Sequence, residues 1–176
     1  MGLVYAVFGG DRYKAVSNEA SAFGAEVSIL KGSWRFANLV GKIRGLHISG
    51  EGEFMDGTTA VTSSFTLFAT EPAIGLHWNL MPFYPPGFRV YLSGLGIMSL
   101  DHLRFDSATT VTTINKSETA IGFGYEVGAG VEWNIKREKG MWQLFGEIQY
   151  RDVKSKLAGQ DAFSLTGLQM VGGFGW

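Results

Sequence analysis

The chain has 176 residues, no cysteine and a formal net charge of -1. By length it is one domain with room for a real core or a closed barrel. It has neither a disulfide framework nor a thiolate metal site, and no electrostatic case for nucleic acid. No stretch approaches the roughly 18 consecutive apolar residues of a membrane helix, although 45% of the residues are hydrophobic.

Glycine is the unusual component, 25 residues against a usual share of about 7%, accompanied by 13 Phe, 5 Trp and 6 Tyr. The opening "MGLVYAVFGG" lacks the charged start, apolar stretch and small-residue cleavage site of a signal peptide. For a protein outside the cytoplasm, the chain is therefore expected to be a mature region with an added Met, and residues 1–176 are expected to form a single domain. Most apolar runs carry a polar or small residue at every second place, which is the period of a strand.

That alternation predicts about eight strands, at 2–13, 20–31, 41–54, 64–80, 88–105, 118–136, 140–154 and 163–176. In "AFGAEVSILKG", Phe23, Val27 and Ile29 oppose Glu26 and Ser28. Between 31 and 63 the parity is ambiguous. Lys42 and Arg44 share a register with Leu46 and Ile48, so either a bulge shifts the pattern or the two cations snorkel at an interface. "TLFATEPAIGLHWNL" sets Phe68, Pro72, Ile74, Leu76, Trp78 and Leu80 against Glu71, Ala73, Gly75, His77 and Asn79, and Pro72 predicts a local distortion. "FRVYLSGLGIMSL" sets Val90, Leu92, Met98 and Leu100 against Arg89, Ser93 and Ser99, with Leu95 and Ile97 blurring the contrast.

The cleanest segment is "ETAIGFGYEVGAGVEWNIKR". Ile121, Phe123, Tyr125, Val127, Ala129, Val131, Trp133 and Ile135 occupy one face, and the other holds glycines with Glu126 and Glu132. A face of glycine and carboxylate suits a crowded interior better than a solvated surface. "MWQLFGEIQYRDVK" then places Trp142, Leu144, Ile148 and Tyr150 opposite Gln143, Glu147, Gln149 and Arg151, with Phe145 as the exception. The terminal "SLTGLQMVGGFGW" carries Leu168, Met170, Phe174 and Trp176 in one register.

Most of these strands meet the 9 to 11 residues needed to cross a bilayer at a tilt. Their connections alternate in character. "MPFYPPG" and "REKG" are turn-like, whereas "DSATTVTTINKS" and "SKLAGQDA" are longer and polar. "GSWRFANLVGK" is a long linker where a short turn is expected. Loops are predicted near 11–19, 55–63, 106–117 and 155–162.

In this pattern, notably "VYLSGLGIMSL", "YEVGAGVEW", "LFGEIQYR" and the aromatic end, the chain resembles the OmpA/OmpX-like, or opacity-type, outer-membrane barrels of Gram-negative bacteria. The resemblance implies an all-β, eight-stranded, antiparallel, up-and-down transmembrane β-barrel in the bacterial outer membrane, with both termini periplasmic. It also implies a C-terminal strand presented to the outer-membrane assembly machinery, and the lipid bilayer and lipopolysaccharide as surroundings. Trp78, Trp133, Trp142, Phe174 and Trp176 would be membrane-interface aromatics, with Trp34 and Phe36 anchoring a periplasmic turn. The family usually ends in phenylalanine, and Trp176 departs from that. With no peptidoglycan-binding segment in these 176 residues, the chain is expected to be nearer the stand-alone OmpX type.

By parity the interior would receive Glu26, Glu51, Glu53, Glu71, Glu126, Glu132, Glu147, Gln149, Arg89 and Arg151, with His77 nearby. Hairpin counting sets Glu126 roughly opposite Gln149 and near Arg151, so a Glu126/Arg151 or Glu147/Arg89 bridge is expected, since buried charges must be paired or wetted. These groups read as an ion path or as a structural polar core. An eight-stranded interior just wide enough for side chains favours the polar core.

No catalytic, cofactor or metal site is expected. Outer-membrane lipid A deacylases use a His and a Ser on a late strand, where this chain has Gln149, Tyr150, Arg151 and Asp152. His47, His77 and His102 have no ligand or triad spacing. The pairs Gly122/Gly124 and Gly128/Gly130 sit mid-strand with no helix behind them, unlike a nucleotide loop.

The expectation is thus a non-enzymatic structural or surface-interaction protein with a filled lumen, binding no nucleic acid and carrying an unidentified extracellular partner. A narrow pore or small-molecule conduit is one alternative. The other is a soluble lipocalin-like ligand-binding barrel, suggested by the Gly32-Ser33-Trp34 triplet.

Overall fold

Alternation at period two leaves each segment two unlike faces, and antiparallel pairing satisfies the backbone while keeping like faces together. The computed structural model describes residues 2–8, 20–31, 36–56, 59–80, 87–105, 117–137, 140–156 and 163–175. These form β1 (Gly2–Phe8), β2 (Ala20–Lys31), β3 (Ala37–Asp56), β4 (Thr59–Asn79), β5 (Phe88–Phe105), β6 (Ser117–Arg137), β7 (Gly140–Ser155) and β8 (Phe163–Gly175). Each strand pairs antiparallel with the next. β1 also pairs with β8, from Gly2↔Gly173 to Phe8↔Gly167, and the ladder returns on itself as a closed barrel. Residues 9–13, predicted as strand, lie outside the described residues.

Two predicted boundaries are corrected. The linker expected over 32–42 ends early, because β3 already begins at Ala37 and its first residues pair with the end of β4 (Ala37↔Trp78, Leu39↔Leu76). The loop expected at 55–63 is largely strand, with the β3–β4 ladder continuing to Asp56↔Thr59. Cross-strand pairing with β3 decides the conformation of this stretch over the local preferences of its residues.

Pro72 has the effect its missing N–H dictates. The β3–β4 register runs through it as Ile43↔Pro72, whereas the β4–β5 ladder passes from Thr70↔Leu100 to Ala73↔Ile97 with Glu71 and Pro72 unpaired. At the turn end Gly87 has φ +133°, a conformation that excludes side chains, and its carbonyl accepts the Asn134 N–H at 2.5 Å.

The barrel carries its apolar surface outside. Phe23, Ile29, Ile43, Ile74, Ile121, Phe123, Trp133, Ile148, Leu168 and Met170 are all more than half exposed. Inside, side chains fall into three zones along the axis. At the loop end Ile48, Phe65, Leu67, Leu103, Val153 and Leu165 are each at most 1% exposed and pack together. Charged and amide side chains fill the middle. The turn end holds a cavity of about 420 Å3.

Candidate functional site

The middle zone is built by strand parity. Glu26 (β2), Lys42 and Arg44 (β3), Glu71 (β4), Ser99 and Asp101 (β5), Glu126 (β6), Glu147, Gln149 and Arg151 (β7) and Gln169 (β8) all point inward and are buried. Arg44 is its centre. Its Nη1 donates to Glu126 Oε2 at 2.8 Å, its Nη2 to Glu26 Oε2 at 2.7 Å and Gln149 Oε1 at 3.1 Å, and its Nε to Glu26 Oε2 at 3.1 Å. Towards the loop end, Arg151 grips Glu71 through both terminal nitrogens, with Nη1 to Oε2 at 2.7 Å, and Ser99 donates to Glu71 and Asp101.

Towards the turn end, the Lys42 ammonium lies among three carboxylates, 3.2 Å from Glu147 and 3.5 Å from Glu26 and from Glu126. Ser93 and Tyr91 donate to Glu147, and Gln169 Nε2 donates to Glu126 at 2.8 Å and to Gln149. Charges this deep are tolerable because every one of them meets an opposite charge or a hydrogen-bonding group.

Of the interior residues predicted from sequence, Glu26, Glu71, Glu126, Glu147, Gln149 and Arg151 come together in this network. Glu132 and Arg89 do not reach it. They pair with each other at 3.7 Å at the turn-end rim, where the Arg89 side chain is half exposed and Asn134 also donates to Glu132. Both expected bridges are corrected. Glu126 stands opposite Arg151 in the β6–β7 register, not Gln149, but Arg151 turns to Glu71 and Glu126 to Arg44. Glu147 takes Lys42 in place of the rim-bound Arg89. The side chains of Glu51 and Glu53 lie outside the described residues.

Lys42 and Arg44 needed neither a bulge nor snorkelling. β3 runs in unbroken register with β2 and β4, and Val40, Lys42, Arg44, Leu46 and Ile48 all face inward. The i, i+2 spacing of the two cations was the available signal. It was hidden because the interior is itself apolar at the loop end, so an apolar residue on the same face did not mark the outside. Leu95 and Ile97, which blurred β5, and Phe145, the exception on β7, are inward for the same reason.

Outside, Trp78, Phe88, Trp133, Trp142 and Phe174 ring the turn end, joined by Phe36; their register neighbours are Ala37↔Trp78, Phe88↔Trp133, Ile135↔Trp142 and Leu144↔Phe174. Trp34 and Trp176 lie outside the described residues. A second aromatic belt crosses the sheet nearer the loops, with Phe23, Phe68 and Phe123 exposed and His47 edge-on to Phe68 at 4.8 Å between ring centroids. Phe68 and Trp78 stand ten residues apart on β4. At about 3.3 Å per residue and a tilt of about 40°, the belts are roughly 25 Å apart along the axis.

Among solved structures, the chain is similar to the backbone structure of the Yersinia pestis outer membrane protein Ail in a phospholipid bilayer nanodisc. The match covers 99% of this chain and 98% of that one, at 14% identity and a TM-score of 0.39. No protein-family model and no curated protein matches the chain.

Proposed function

We propose that this chain is a small transmembrane β-barrel of the bacterial outer membrane, of structural or surface-interaction type, with a lumen filled by its own side chains. The observation that carries the reading is the inversion of polarity. Large apolar side chains cover the described outer faces of β2 to β8 between two aromatic belts, and ion pairs occupy the inside. In water, an apolar surface that extends over the described outer faces of β2 to β8 far exceeds what a soluble monomer exposes. In a bilayer it is the surface a barrel requires, with a band of about 25 Å flanked by aromatics.

The same inversion weighs against a soluble lipocalin-like barrel, whose ligand chamber would be the apolar side. The tightly packed apolar zone at the loop end weighs against a narrow pore or conduit. In this reading the turns face the periplasm, the loops face outward, and lipid and lipopolysaccharide contact the belts. The β8 face with Leu168, Met170 and Phe174 is the segment offered to the assembly machinery. The barrel performs no chemistry, and lipid A from cells making the protein should show an unchanged mass spectrum.

The deciding experiment is heat modifiability in detergent with far-UV circular dichroism. A β spectrum with a gel-mobility shift only on boiling is the expected result. A monodisperse protein that stays soluble without detergent would overturn the membrane reading. In planar bilayers, the purified protein is expected to give no discrete conductance steps.

A further inference from the structure

The two ends of the barrel interior are unlike. Exposure stays at or below 1% through the loop-end apolar zone, then rises along the inward face from Glu126 (0%) through Glu147 (4%) and His77 (6%) to Glu132 (7%), beyond which Ser28 and Gln143 are half-buried. The turn-end cavity of about 420 Å3 is therefore a blind pocket, within the size range of small-molecule sites.

Its chemistry is lopsided. Glu26, Glu132 and Glu147 line it, and Lys42, shared among Glu26, Glu126 and Glu147, is the one ammonium in its lining; Arg44 also holds Glu26 from the network side, and the half-exposed Arg89 lies 3.7 Å from Glu132 at the rim. A second feature is independent of the carboxylates. The His77 ring lines the same cavity, is buried, and its Nε2 has no hydrogen-bond partner among the described residues. That ring is held flat against Tyr91, with centroids 4.5 Å apart and 14° between planes, so it is fixed rather than free to turn towards a partner. An orphaned buried nitrogen in a native interior calls for a partner, and this one faces a cavity roomy enough for a small molecule to supply it.

Among the described residues no group of three His, Asp or Glu is placed to hold a metal ion. The remaining chemistry is a donor that is also a cation. An organic ammonium supplies N–H donors to a carboxylate and to an imidazole nitrogen at once, gains from the π-face of an aromatic ring, and lays its alkyl part on an apolar wall. Phe145, inward and half-buried, supplies that wall. We propose that the turn-end cavity binds a small organic ammonium compound, its charge on Glu132, one N–H on His77 Nε2 and its alkyl part against Phe145.

The test uses the full chain, folded in detergent micelles with 15N-labelled histidine, titrated at neutral pH with n-butylammonium chloride. His47 and His102 face outward and serve as internal references. The His77 imidazole signals are expected to shift and saturate while those of His47 and His102 stay, and Glu132→Gln is expected to weaken the response by about tenfold or more. Sodium chloride, magnesium chloride and sodium butyrate at matched ionic strength are expected to leave His77 unmoved. A His77 signal that does not move overturns the proposal. So does an equal response to sodium chloride or to butyrate, or a Glu132→Gln barrel that keeps its boiling-dependent mobility shift and binds unchanged. Should that variant fail to fold, the wild-type titration and its salt controls decide alone.

Discussion

Arg44 makes four hydrogen bonds to three partners with its side chain 2% exposed, so its charge is balanced only by the residues around it. Replacing it with methionine leaves Glu26 and Glu126 only the more distant ammonium of Lys42, 3.5 Å from each and shared with Glu147. Breaking one partner of a buried pair typically costs about 3–5 kcal/mol. Arg44→Met is therefore expected to lower the unfolding free energy of the detergent-folded protein by an amount in that range, read from urea unfolding followed by tryptophan fluorescence. Adding Glu126→Gln should recover part of the loss by removing the stranded carboxylate. The rim pair behaves differently, since Arg89 is half exposed and 3.7 Å from Glu132. Arg89→Gln should change the same unfolding free energy by no more than about 1 kcal/mol. Which carboxylates face inward could be read from the sequence, but which cation each one meets could not. Glu126 and Arg151 are cross-strand neighbours, and their charged ends nonetheless reach across the lumen to partners on β3 and β4.

On β6 the glycines explain how so many long side chains share one narrow interior. A Cβ on Gly128 would lie 2.7 Å from Ser93 Oγ and 2.9 Å from both Gln149 Cγ and Glu147 Oε1, and one on Gly130 would strike the Tyr91 ring. The glycine face of β6 is thus the space into which the β5 and β7 side chains extend. The outward Gly45 carries no such duty, since a Cβ there meets nothing within 4 Å. Gly128→Ala is expected to destabilise by about 1–3 kcal/mol through overpacking. Gly45→Ala should be neutral or stabilise by about 0.5–1 kcal/mol by stiffening the strand. Parallel unfolding curves of the two variants check both signs. The crowded-interior reading of β6 was available from the sequence because glycine alternates there with large apolar residues. β3 offered no such contrast, since its inward face changes from charged to apolar halfway along.

For the whole molecule, the solvent that meets the outer face sets the sign of a surface substitution. Ile74 is 63% exposed and lies midway between Phe68 and Trp78 on β4. In water, Ile74→Lys would be neutral or favourable. At the midplane of a bilayer a lysine on the lipid face costs about 2–4 kcal/mol. The variant is expected to show that loss when unfolded from phospholipid vesicles, and a loss near zero would contradict the membrane assignment. The sequence by itself determined the number of strands, most of their limits and, outside β1 and β3, the face that each one turns outward, because period-two alternation is a local property of those segments. Only the tertiary structure decided the ion-pair partners, the apolar zone at the loop end and the His77 cavity. These depend on which strands stand across the lumen from one another, a relation set by closure of the sheet and by register, so that residues some eighty positions apart, such as Arg44 and Glu126, meet only when the ladder returns on itself.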